Sequence, residues 1–509
     1  MSATNERLES RRWWALAAVS LATFMTYLDN NIVNVAIPTI QRSLHLSVSG
    51  LEWVVSSYLL TLAGLLLVGG RLADVYGRRR VFLVGLAVFT LSSLAAGLAA
   101  NGGVLIASRA VQGIGAALLM PATLAIIVAT FKDVRERNTA IGIWAAAGAL
   151  ALALGPALGG LISQHLHWGW IFLINVPVGL ITIAISLPYV GESREPSAVR
   201  RLDVPGLVTS AVTLFALTYA LIEGNVRGWT SPLILGAFAL AAVAAAAFLA
   251  IESRTAHPMV DLTMFRIREF SGGVGTMMIW SFGILGIYFF TSLYLQEILG
   301  FSPVKAGLAF VPMALCVAVS AAIAPPIAAR AGAHRTVGFG MLLMVVGLVL
   351  FARLGLNVSY PALLPGFMLF GAGAGLMNVP LTNAAMAATP PARAGIASAL
   401  LNASREVAGL LGITVIGAVV STRRAASLRA GADPVHAFLD GYHIGLLVTI
   451  ALMAAGVVVS YLSLRPRPAA SSEPTAPVTA IGEIEGIGES LGELVIPAEV
   501  AVPTPRPSA

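Results

Sequence analysis

The strongest constraint on this chain is a recurrence. Apolar stretches of roughly 20 residues, each long enough for a helix to cross a ~30 Å hydrocarbon core, return about 14 times between Trp13 and Leu464. Their centres fall near Tyr27, Ala63, Thr90, Leu118, Ala151, Val178, Leu214, Val243, Gly283, Val317, Val346, Gly373, Leu411 and Ile450. The expected fold class is an all-α polytopic membrane protein with 14 transmembrane helices. Composition agrees: 57% of the 509 residues are hydrophobic and 11% are charged, against roughly 25% charged in soluble domains. The first stretch is too long for a cleaved signal peptide and has no small-residue cleavage site, so it reads as a retained span.

An even number of spans places both termini on one side, and basic residues choose that side as the cytoplasm. Arg78, Arg79 and Arg80, then Lys132, Arg135 and Arg137, then Arg194, Arg200 and Arg201, then Arg266, Arg268, Arg330 and Arg335 all fall in loops that this topology places inside. Arg423, Arg424 and Arg429 dissent, before the last span. The net charge of +7 is thus spent on orientation in a cell membrane, which argues against a nucleic-acid partner. Cys316 lies in an apolar segment and reads as a packing residue. The histidines show no metal-ligand spacing, so no metal is expected. The tail from Arg465, rich in Pro, Ala, Ser and Glu, reads as disordered.

The chain repeats itself. "GRLADVYGRRRVFLVG" (Gly70 to Gly85) aligns with "PPIAARAGAHRTVGFG" (Pro325 to Gly340), matching Ala73 with Ala328, Gly77 with Gly332, Arg80 with Arg335 and Gly85 with Gly340. "GIGAALLMP" from Gly113 aligns loosely with "GAGAGLMNVP" from Gly371. This gives residues 1–12 as an N-terminal segment, 13–190 as a six-helix half, 191–269 as two inserted helices, 270–464 as a second six-helix half and 465–509 as the tail. Parallel repeats of this kind build transporters with a site near mid-membrane. The halves do not share charges: Asp74 has Ala329 as its counterpart, and the Arg109 region has no arginine partner.

Charges inside spans are costly and mark function. Asp29 lies near the middle of the first span, and a central carboxylate costs at least ~2.5–3.5 kcal/mol. The residues allow a proton carrier, a counter-charge for a cation, or a structural ion pair. Asn30, Asn31 and Asn34 suggest that one face of this helix is wet. Arg109, in the fourth span, either controls the acid or forms a static pair. Arg405 and Glu406 are neighbours pointing ~100° apart, which is expected to keep them from simply neutralising each other. Glu223 reads as interfacial and solvated, and Trp13, Trp14, Trp53, Trp168, Trp170 and Trp229 as membrane-interface residues. The small residues from Gly148 through Gly155, Pro156, Gly159 and Gly160 allow close helix approach, with a kink at Pro156. In the loop after span 2, Gly77 allows a tight turn, Asp74 can cap a helix start or pair with an arginine across the bundle, and Arg78–Arg80 can pair with nearby acids or lipid phosphate.

Taken in order, "LDNNIVNVAIP", "GRLADVYGRRR", "SRAVQGIGAA", "GALALALGPALGG" and "WGWIFLINVPVG" resemble the motifs of the major facilitator superfamily, and within it the fourteen-span drug:proton antiporters, over roughly residues 10–465. Gly169 departs from the pattern where an arginine is usual, and Glu406 where glutamine is common. The resemblance implies a major facilitator fold of two six-helix halves plus two central helices. It implies export of a drug, antibiotic or other amphipathic or cationic small molecule by alternating access. The coupling would be to protons, with no cofactor beyond the proton gradient. It implies proton coupling at Asp29 and Arg109, to which the departure in span 13 adds a further acid, Glu406 with Arg405, and it implies a cytoplasmic latch at Gly70, Asp74, Gly77, Arg78, Arg79 and Arg80. The antiporter motif would be Gly148, Gly155, Pro156, Gly159 and Gly160, and the cavity would be lined by Asn30, Asn34, Gln112, Asn378 and Asn402. The expected partners are the substrate, protons and the bilayer, with the protein a monomer. The alternatives are a proton symporter importing a nutrient and a transporter-like scaffold or sensor. No phosphate-binding Gly-rich Lys-Ser/Thr loop, Gly-x-Ser-x-Gly elbow or His-Glu-x-x-His helix appears, so an enzyme is a poor rival.

Overall fold

The structure is a computed structural model that describes residues 2–194, 203–255, 258–356, 358–389 and 394–465. The expectations for the tail, for Arg200 and for Arg201 lie outside these residues. Each apolar centre falls in a helical segment of its own, and we number these in order. They are α1 (Ser2–Leu44), α2 (Val48–Tyr76), α3 (Arg78–Gly97), α4 (Gly102–Thr130) and α5 (Val134–His165). Then come α6 (Trp170–Leu173 and Asn175–Tyr189, broken at Ile174), α7 (Val204–Arg227), α8 (Pro232–Glu252) and α9 (Arg268–Leu293). The last are α10 (Pro303–Ala309 and Val311–Ala331), α11 (Ala333–Ala352), α12 (Tyr360–Ala387), α13 (Ala394–Arg429) and α14 (Pro434–Ser463). Among the described residues, 13 stretches are long and apolar enough to cross a membrane. The stretch in α1 is not one of them, because Asp29, Asn30, Asn31 and Asn34 dilute it.

Local chemistry starts the helices where the turns need polar groups. Ser47 accepts from the Gly50 amide at 3.2 Å and Asn101 from Val104 at 3.0 Å, and Asp133 caps α5. Each side chain satisfies an amide that the first helical turn leaves without a partner.

The packing is twofold repetitive. The first helix rests on α5 and α6, while α2 and α3 rest on α4, and α3 on α6. The pattern returns with α9 on α13 and α14, α10 and α11 on α12, and α11 on α14. Two six-helix halves therefore share one plan, and α7 and α8 are additions. The halves meet along two seams that the repeat exchanges, α2 on α13 and α5 on α10. The inserted α7 packs on α2, α13 and α8.

The aligned residues occupy equivalent places. Gly77 and Gly332 take φ of +114° and +88°, and their amides donate to Ala73 and Ala328 at 3.1 and 2.9 Å. Only glycine adopts that conformation without strain. A Cβ on Gly85 would meet the Gly115 carbonyl at 2.9 Å, and one on Gly340 the Gly373 carbonyl at 2.7 Å. Gly113 abuts the carbonyl of Tyr58 as Gly371 abuts that of Met313.

Candidate functional site: a buried ion pair and a boundary ion pair

Asp29 and Arg109 meet in the interior of the N-terminal half, both 0% exposed, with Arg109 Nη1 2.5 Å from Asp29 Oδ2. Both carboxylate oxygens accept. Gln112 Nε2 donates to Oδ1 at 2.8 Å, and Asn175 Nδ2 donates to the same atom at 2.9 Å. Ser93 Oγ accepts from both amides, at 2.6 and 3.2 Å. Arg109 also donates to Gln112 Oε1 at 2.7 Å and, through Nε, to the Val54 carbonyl at 3.3 Å. Its guanidinium lies 4.2 Å from the centre of the Tyr58 ring, a cation–π contact that a dry site strengthens. Helices α1, α2, α3, α4 and α6 thus converge on one acid.

This arrangement corrects the expectation of a wet, cavity-lining face at Asp29. The acid points into the half, where the side chains of Arg109, Gln112 and Asn175 replace water. Gln112 is likewise no cavity residue, being fully buried and spent on Asp29 and Arg109. Asn34 is buried and bonds the Asn30 carbonyl, and Asn30 and Asn378 are half-buried. Asn402 is exposed on α13 and bonds the Ser398 carbonyl.

A second ion pair sits on α13. Arg405 Nη2 and Nε contact Glu406 Oε1 at 2.7 and 3.1 Å. This overturns the expectation that helical neighbours cannot pair. The ~100° separation governs where the Cβ atoms point, and the arginine stem is long enough to wrap back around the helix. Arg405 also donates to Tyr27 Oη on α1 at 3.3 Å, so the pair spans the boundary between the halves.

The glycine-rich face of α5 serves contact. A Cβ on Gly155 would lie 2.7 Å from Asn31 Cβ, and one on Gly159 2.6 Å from the Ile32 carbonyl oxygen. Gly148 faces the Tyr27 ring. Gly160 abuts the Pro303 carbonyl, and Gly307 in turn abuts that of Pro156, so this stretch of α5 also forms the seam with α10. The helix assignment runs through Pro156 without interruption. Other bonds between the halves collect at the same end: Gln296 Nε2 to the Val35 carbonyl at 2.9 Å and the Val304 amide to Gln164 Oε1 at 3.2 Å.

At the opposite end, the loop around Gly77 closes onto the chain after α6. Arg78 pairs with Asp74 at 3.0 Å, and its amide donates to the Ser193 carbonyl at 2.9 Å. Glu192 receives the Arg79 amide at 3.2 Å and stands 3.7 Å from Arg80 Nε, while Arg79 Nη2 reaches the Leu187 carbonyl at 2.6 Å. A Cβ on Gly77 would fall 2.5 Å from Glu192 Oε1. Gly70 packs on Pro121. These contacts lie within the N-terminal half and the segment that directly follows it, and none of them reaches the C-terminal half.

Two further expectations change. Glu223 is 15% exposed, and it accepts from Trp53 Nε1 at 3.1 Å while pairing with Arg227 at 3.2 Å. It ties α7 to α2 and is only partly exposed. Trp168 is buried and bonds Ser43, whereas Trp13, Trp14 and Trp170 remain exposed as interface residues should.

Fold and site together define a polytopic membrane transporter built from two equivalent halves, with ionisable groups held inside the bundle. The family model described as Major Facilitator Superfamily matches residues 19–413. The multidrug resistance protein Stp of Mycobacterium tuberculosis (strain CDC 1551 / Oshkosh) is 38% identical over 427 residues, 82% of this chain and 79% of that one. The tetracenomycin C resistance and export protein of Streptomyces glaucescens is 35% identical over 416 residues, 82% and 77% of the two chains. An auto-inhibited peptide transporter of the POT family superposes with a TM-score of 0.66 at 16% identity, covering 91% of this chain and 99% of that one. The chain belongs to the major facilitator superfamily, and it is a transporter, not an enzyme.

Proposed function

We propose that this protein is a proton-coupled antiporter that exports drugs, antibiotics or other amphipathic or cationic small molecules. Export runs by alternating access between residues 13–190 and 270–464. The observation that carries the reading is the pair of ion pairs. Asp29–Arg109 is sealed in one half, and Arg405–Glu406 touches Tyr27 across the boundary. Two acids whose partners can be exchanged, one at the boundary that must move, suit a cycle in which a proton and a substrate take turns. The resistance and export relatives support the outward direction. In this reading α1 is the fourteenth span, both termini are cytoplasmic, the membrane is the plasma membrane and the protein acts as a monomer. Moving one charge through 100 mV supplies ~2.3 kcal/mol, a gradient of roughly 50-fold.

A resistance panel in an efflux-deficient host tests this. Expression should lower susceptibility to some amphipathic cations, and Asp29→Asn should abolish that protection at equal membrane abundance. Uptake of substrate into right-side-out vesicles energised by outside acid would instead establish import and overturn the proposal.

A further inference from the structure

The two seams between the halves are equivalent in the repeat but differ in chemistry. The spacing that relates Gly77 to Gly332, and Tyr58 to Met313, also relates Glu52 to Gly307. On the α5–α10 seam, Gly307 and Gly160 press against the backbone carbonyls of Pro156 and Pro303. On the α2–α13 seam, the position of Gly307 is taken by an acid. Glu52 is 2% exposed, and its carboxylate lies against Gly417, where α13 has no side chain in the way.

Among the described residues this carboxyl has no counter-charge, for no hydrogen bond or ion pair engages it, and the charged group bonded to the adjacent Trp53 is another acid, Glu223 of α7. The basic groups on the surrounding helices are engaged elsewhere. Arg227 of α7 is on Glu223, and Arg109 of α4 is on Asp29 and the Val54 carbonyl. Arg424 of α13, two turns beyond Gly417, lies over the Phe438 ring in a small cavity that Glu297, just past the end of α9, and Gln41 of α1 also line. An unpaired carboxylate in such a place would cost several kcal/mol, and the neutral acid avoids that cost.

We propose that Glu52 is a further proton-binding site, loaded as the α2–α13 seam closes and emptied when the halves part at that face. The proton returns to the side it came from, so it is not carried across. It makes acid on that face favour closure, which in an antiporter hastens return of the proton-loaded carrier. This rests on the alternating-access reading above, and the topology there makes the face external.

Ser421, in the same cavity, supplies a reporter. Ser421→Cys in a Cys316→Ser background is labelled with an impermeant maleimide on right-side-out vesicles between pH 5 and 8. Rates are normalised to Ala430→Cys in the adjoining turn. Normalised labelling should fall with acid by up to tenfold per pH unit, should be low and flat in Glu52→Gln, and should regain its slope in Glu52→Asp. An unchanged slope in Glu52→Gln would overturn the proposal. Glu52→Gln should also keep substrate-driven proton movement at the wild-type ratio, and loss of that movement would overturn the gating-only role. Failure of antiport itself would show differently, as absence of proton-driven transport in the wild type.

Discussion

Asp29→Asn tests the buried cluster most sharply. Asp29 Oδ1 accepts from Gln112 and Asn175, and Oδ2 from Arg109. Asparagine offers one acceptor, so either rotamer sets an N–H against an N–H. It also strands the Arg109 guanidinium, 0% exposed, without a counter-charge. Removing one partner of a buried ion pair costs ~3–5 kcal/mol, and losing charge-assisted bonds worth ~1.5–3 kcal/mol each leads to the same range. The double variant Asp29→Asn/Arg109→Met removes the stranded charge and should recover ~2–3 kcal/mol of that loss. Unfolding of the purified protein in detergent, analysed as a double-mutant cycle, reads both numbers. A single variant within ~1 kcal/mol of wild type, or costs that simply add, would refute the reasoning. Neither variant should transport.

Gly160→Ala and Gly307→Ala insert a methyl group against the carbonyls of Pro303 and Pro156. Each should cost ~1–3 kcal/mol in the state with that seam closed, read as faster labelling of a cysteine at Val304 and slower export. Gly77→Ala should cost ~1–3 kcal/mol, since its φ of +114° and ψ of +130° suit only glycine, and part of its penalty should vanish with Glu192→Ala, which removes the clashing carboxylate. Glu192→Ala alone should change stability by less than ~1 kcal/mol, since its pairs are partly exposed. At the start of α14, the amide and ring of His436 hold the Asp433 carboxyl below the ordinary Asp range. Its capping contribution is therefore present above that range and is lost as pH falls through the lowered value. Hydrogen exchange of the Val435 and His436 amides should quicken only in acid below the ordinary Asp range, and Asp433→Asn should remove the dependence.

The architecture was largely legible in the sequence because span length, loop charge and the Gly77/Gly332 repeat are local signals. The site was legible as chemistry but not as partnership. Asp29 and Arg109 stand out because charge is rare in a span. Ser93 and Asn175 do not, since neutral polar residues are common there and only the rotation of α3 and α6 brings them to Asp29. The Asn175 signal lay inside "LINVP", a motif that marks where a span begins without showing what it holds. Glu192 and Glu52 sit at span ends, where an acid reads as solvated. Only the turn after α6 brings Glu192 against Gly77, and only the contact with Gly417 encloses Glu52. The error over Arg405 and Glu406 came from treating a helix as a set of Cβ directions, which long side chains need not follow.

Proton exchange against substrate is the most direct test. Inverted vesicles with an acidic lumen are given a fluorescent amphipathic cation that the resistance panel has identified as exported. Coupled antiport requires the dye to accumulate as the lumen alkalinises, with both signals abolished by Asp29→Asn. Dye accumulation that leaves luminal pH untouched, or that survives Asp29→Asn, would contradict it.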